Sequence, residues 1–150
     1  MKKLWFIVSI LFCLVVLFGC KSKPAAVESI DDAFARVYNK YRGNLILDGA
    51  ETYTVVSGDT LSKISREQYG NGFFYPIIML ASSDIVLDPD KIAPGMDLTV
   101  PVLEANFADK KAVDTIKAYL VDIAKIEENR GRQEVADGMR DLSNELTITE

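Results

Sequence analysis

The chain has 150 residues, with 17 basic against 22 acidic side chains for a net charge of −5, two cysteines and no histidine. That composition excludes a Ser-His-Asp triad, a Cys-His pair and a Cys/His zinc site. An acidic surface also repels phosphate, so no nucleic-acid partner is expected.

Lys2 and Lys3 precede an apolar run from Leu4 to Phe18, broken only by Ser9 and followed by Gly19-Cys20. A charged start, an apolar middle and a small-residue end are the layout of a secretory signal. The run is shorter than the roughly 20 apolar residues of a membrane span. Leu17-Phe18-Gly19-Cys20 resembles the lipobox of bacterial lipoproteins, with Phe18 where the box has a smaller side chain. That resemblance implies cleavage before Cys20, lipidation of Cys20 and a membrane partner reached through the lipid; an ordinary signal or an uncleaved anchor shares the layout. Cys13 lies inside the apolar run, so the processed chain would hold no pair of thiols for a disulfide. Lys21 to Glu28 reads as a short polar tether, reaching at most about 27 Å.

Ser29 is placed to cap a helix from Ile30 to Arg42, with Asp31 and Asp32 at its start, Lys40 and Arg42 at its end, and Gly43 beyond it. Ile30, Ala33, Phe34, Val37, Tyr38 and Tyr41 share one face, which packs within the chain or meets a partner protein. Tyr53-Thr54-Val55-Val56 favours a half-buried strand, and Ser57-Gly58 breaks it. Asp59 or Thr60 caps a helix running to Tyr69, with Leu61, Ile64, Ser65 and Tyr69 at helical spacing. Gly70 suits the left-handed closing residue, and Asn71-Gly72 continues the turn. Pro76 then fits the first turn of a second helix whose buried face is Ile77 to Ala81. Asp88-Pro89-Asp90 and Pro94-Gly95 are turns, and Met96, Leu98 and Val100 alternate as a second strand.

Tyr53 to Ser65, containing Gly58-Asp59-Thr60-Leu61, resembles the opening of a LysM domain, and Asp88 to Pro101, containing Pro94-Gly95, resembles its close. The longer middle, Tyr69 to Ile78, is similar to a subclass found in small bacterial envelope or cytoplasmic LysM proteins, potassium-binding members among them. The resemblance implies an α+β fold: a LysM βααβ module, with a two-stranded antiparallel sheet and two helices, flanked by N- and C-terminal amphipathic helices. It also implies non-catalytic binding of peptidoglycan or another N-acetylglucosamine-containing glycan at two loops. Those loops are Gly58, Asp59, Thr60 and Leu61, and Asp84, Ile85, Val86 and Leu87. Backbone groups there can meet the N-acetyl amide, while Leu61, Ile85 or Val86 touches the methyl group and sugar face. Asp59 and Thr60 are equally explained as capping residues, and Leu61 as core. Ser82 stands where such domains carry Asn near the end of the second helix.

Beyond Pro101, Ala112, Val113, Ile116, Tyr119, Leu120, Ile123 and Ile126 mark a long amphipathic helix from Ala108 to Asn129. Gly131 breaks it, and Val135, Met139, Leu142 and Leu146 give a shorter stripe that Gly138 weakens. The expected organisation is therefore a lipoprotein signal at 1–19, a tether at 20–29, a helix and linker at 30–52, the LysM module at 53–101 and a helical extension at 102–150. Asp88 and Asp90 are a carboxylate pair of the type glycosidases use, but they fall in a turn without an enclosing domain. That acidic loop also offers oxygens to calcium or potassium, without EF-hand spacing. No catalytic residue, metal or cofactor is assigned. The expected location is the bacterial envelope, and the rival reading makes the fold and its helices a surface for another envelope protein.

Overall fold

The computed structural model describes residues 28–148, so the signal at 1–19, the lipidation site Cys20 and the tether before Glu28 lie outside the described residues. Helix α1 spans Ile30–Tyr41, and the Ser29 hydroxyl accepts from the Asp32 amide at 3.1 Å. Phe34, Val37, Tyr38 and Tyr41 are buried as their spacing requires. Ile30, expected on the same face, instead overhangs the cleft beside Ile126 and Arg130 and stays exposed.

Strand β1 spans Glu51–Thr54 and pairs antiparallel with β2, Asp97–Val100, in the register Glu51 to Val100 and Thr54 to Asp97. The strand starts earlier than Tyr53 because β2 reaches Val100, whose partner in this register is Glu51. Beyond Thr54 the chains stay bonded, with the Val55 amide donating to Met96 O and the Gly95 amide to Val55 O, both at 2.8 Å. Val55 enters the core and Val56 turns out to solvent.

Helix α2, Leu61–Tyr69, ends at Gly70 with φ +74, the left-handed closure its glycine allows. A short 3-10 turn, Gly72–Phe74, leads into α3, Tyr75–Ala81, which carries Pro76 in its first turn and is buried from Tyr75 through Leu80. The Ser82 amide closes α3 onto Ile78 O at 2.9 Å, and the Ser82 hydroxyl accepts from the Thr99 amide at 2.9 Å. The serine therefore fastens the helix end to β2. The order is strand, helix, helix, strand.

Helix α4, Leu103–Phe107, has no counterpart in the sequence reading, because five residues show no period. Its Asn106 is fully buried and exchanges two 2.9 Å hydrogen bonds with the backbone of Ile46, pinning the linker between α1 and β1. Helix α5, Lys110–Asn129, starts after Asp109, whose carboxylate caps the Ala112 amide at 2.8 Å. All seven residues of the expected stripe are buried. Helix α1 lies on α5, where Tyr41 meets Tyr119 edge-on at 5.6 Å. Partial burial pushes the Asp122 carboxyl up, but hydrogen bonds from Lys40, Tyr41 and Lys125 outweigh it and hold the group at about 2. Apart from Ile30, the apolar face of α1 is thus spent inside the chain. Among the described residues, no helix is long and apolar enough to cross a membrane.

Helix α6, Gln133–Glu145, folds back against α5 and also touches the 3-10 turn. Gly138 makes that second contact possible. A Cβ at this position would stand 2.4 Å from Cζ of Phe73, so the aromatic ring rests on the bare backbone. Alanine normally favours a helix over glycine by about 1 kcal/mol, yet here it displaces the ring, and such overpacking costs about 1–3 kcal/mol. Gly138→Ala is expected to destabilise the protein in urea unfolding. In a Phe73→Ala background the same change is expected to stabilise it.

Candidate functional site

The first loop is built around its own backbone. Gly58 adopts φ +88 with open space where a Cβ would be, leaving its backbone exposed. The Asp59 carboxylate is almost wholly covered, accepting from the Val56 amide at 2.9 Å, the Tyr53 hydroxyl at 2.8 Å and the Lys63 ammonium at 3.3 Å. Those donors, the Val56 amide foremost, hold it below the usual carboxylate range. The Thr60 hydroxyl accepts from the Lys63 amide at 3.2 Å, capping α2, and Leu61 is core. Three of the four expected loop residues therefore have a folding task.

In the second loop, Val86 is buried, while Ile85 and Leu87 are 49% and 47% exposed. The Ile85 and Val86 amides both donate to Ser82 O at 2.9 Å, fixing the turn. Asp84 points away to Arg42 at 3.5 Å, beside a separate pocket that Leu80 and Ala81 also line. Tyr38 of α1 donates to Leu87 O at 3.4 Å. The eight expected residues do not converge on one described cleft: Thr60 and Leu61 line one, Asp84 another.

A charged cluster joins this loop to the helical extension. Arg130, whose side chain is only 9% exposed, reaches Asp88 at 3.2 Å and Glu127 at 3.3 Å and bonds Asp90 as well. Arg132 bonds Asp90 and approaches Glu127 Oε2 at 3.4 Å. Glu127 is fully buried, and Tyr75 donates to its Oε1 at 3.1 Å. Burial and the neighbouring Glu127 push the Tyr75 hydroxyl well up. The Arg132 hydrogen bond lowers the Asp90 carboxyl. Asp88 and Asp90, the pair weighed for acid-base work or cation binding, are thus engaged by guanidinium groups.

Next to this cluster lies a cleft of about 530 Å³. Thr60, Leu61 and Ser62 line its α2 side, Asn71 to Phe73 its turn, and Asp90, Arg132 and Val135 the side made with the extension. Sequence reasoning did not find this cleft. Arg66, four residues after Ser62 on the same exposed face of α2, was its one local signal.

A strand-helix-helix-strand unit, closed by a Gly-Asp-Thr cap and a Pro-Gly return, is the architecture of a small binding module. Residues 53–101 match the LysM domain family, and this segment of the chain is a LysM domain. Over 52 residues the chain is 48% identical to the potassium binding protein Kbp of Escherichia coli O6:H1 (strain CFT073). That match covers 35% of this chain and 35% of the relative, so the chain spans about a third of the curated relative's length.

Removing one partner from a buried charge group leaves the others uncompensated, at a cost of about 3–5 kcal/mol. Arg130→Ala is expected to lose stability on that scale in urea unfolding. Faster amide exchange is expected from Ile85 to Ile92 in particular, where Arg130 grips the loop.

Proposed function

We propose that this protein is a non-catalytic binder of N-acetylglucosamine-containing glycan, peptidoglycan foremost, held at the bacterial envelope by lipid on Cys20. The observation that carries the reading is the LysM domain at residues 53–101. Two details support it: exposed backbone at Gly58, and two large apolar side chains, Ile85 and Leu87, that the fold leaves in water. A sugar presents a C–H face to such side chains and an amide to the backbone, so recognition needs no shifted pKa. One shallow site binds weakly, and a lipid anchor beside the polymer raises its effective concentration. The potassium in the relative's name is not carried over. The turn carboxylates that offer oxygen ligands here, Asp88 and Asp90, are held by Arg130 and Arg132.

A second reading, an assembly factor that binds another envelope protein, draws on Asp59, Thr60 and Leu61 each having a folding task. Co-sedimentation of the purified protein with insoluble peptidoglycan separates the two. The wild type is expected to pellet with the polymer, and an Ile85→Ser, Leu87→Ser variant to remain mostly in solution with its fold intact. Failure of the wild type to pellet, or equal pelleting of the variant, would favour the assembly reading. The anchor has its own check: labelling with a fatty-acid analogue in cells is expected for the wild type and absent from Cys20→Ala.

A further inference from the structure

We infer that the cleft between α2 and the helical extension is a second glycan subsite, specific for a carboxylate-bearing sugar, with Arg66 taking the carboxylate and Phe73 the ring. The inference rests on the glycan reading of the LysM domain and adds a ligand class and a place that adjoins its first loop at Thr60 and Leu61.

Charge pairing supplies the first argument. Arg36, Arg42, Arg130, Arg132 and Arg140 each have a carboxylate within 4.0 Å, whereas Arg66 has none among the described residues. On a chain of net charge −5, an exposed guanidinium that lines a cleft and has no carboxylate partner is available to an external anion. Its planar fork matches a carboxylate with two parallel hydrogen bonds. The group lies along the turn, with Nη2 3.5 Å from where a Cβ on Gly72 would stand.

Shape supplies the second argument. Phe73 keeps 36% of its surface in water although its ring tip is packed down on Gly138, so it is held in place with part of its surface left over. An aromatic face with hydroxyl and amide groups beside it suits a pyranose, whose C–H side is apolar and whose rim is polar. Ser62 and Asn71 supply that rim, and about 530 Å³ accommodates one or two sugar units. The far side belongs to Arg132 and Val135, so the LysM module alone does not form this cleft. Arg132 is already committed to Asp90 and Glu127, which leaves Arg66 as the cation available to a ligand.

Two tetrasaccharides test the assignment on the purified protein by calorimetry. One alternates N-acetylglucosamine with N-acetylmuramic acid, and the other contains N-acetylglucosamine alone; they differ by the acidic ether groups. The wild type is expected to prefer the acidic one by about tenfold or more, as a charged hydrogen bond provides. Arg66→Gln is expected to abolish the preference while leaving affinity for the neutral sugar unchanged, and added salt to erode it in the wild type. Equal wild-type affinity for the two, or a preference that survives in Arg66→Gln, overturns the subsite and leaves the glycan reading standing. Binding of neither tetrasaccharide overturns both.

Discussion

Arg130 is the constraint on which the arrangement depends. Its guanidinium meets Glu127 on α5 and Asp88 and Asp90 in the LysM loop, and it lies 5.6 Å from the Phe34 ring of α1. Three parts of the chain that are remote in sequence thus converge on one nearly buried cation. Burying a charge is costly unless it is paired and hydrogen-bonded, and here the pairing comes from elements that must all be docked. Undocking the LysM loop would leave Arg130 with Glu127 as its carboxylate partner. That dependence makes the helical extension part of the same folding unit as the LysM domain.

The backbone around Arg130 explains how two guanidiniums are aimed at one loop. Helix α5 ends with the Arg130 amide shared between Ile126 O and Glu127 O, both at 3.1 Å, and Gly131 turns the chain with φ +78. The Arg132 amide then returns to Glu127 O at 2.9 Å. A tight corner therefore presents Arg130 and Arg132 on the same side, with buried Glu127 beneath them. Asp90 receives both, and Asp88 accepts from Arg130 and from the Asp90 amide, with the Lys91 ammonium 3.9 Å away. A loop that on sequence looked like a source of negative charge is made close to neutral by the corner above it.

What could be read from sequence was what short-range chemistry dictates. The caps at Ser29 and Thr60, the left-handed Gly70 and the seven-residue stripe of α5 each involve residues within a turn or two of one another, so composition and period reveal them. Asn106 and Ile46 are 60 residues apart, and Arg132 and Asp90 are 42 apart, and no local pattern announces such partners. Gly138 shows the same limit more sharply: helix propensity counts it as a weakness, and only the ring of Phe73 supplies its reason. The LysM loops were recognisable as a motif, but the motif does not distinguish a residue that meets ligand from one that holds the loop. Asp59 is covered by its own donors, whereas Ile85 and Leu87 are left about half exposed.

The same distinction bears on how a LysM domain gains selectivity. On the proposed glycan reading, the first loop offers exposed backbone beside residues tied up in folding, which leave little freedom to change what it recognises. By packing α6 against the turn at Phe73, the extension adds Arg132 and Val135 as a wall to the cleft that the exposed Arg66 lines. A cation on a flat surface is screened and solvated, but one beside an aromatic ring in a cleft keeps more of its attraction for an anion. Specificity can then be set in the cleft, at Arg66 and Phe73, without disturbing the Asp59 and Thr60 contacts on which the loop itself relies.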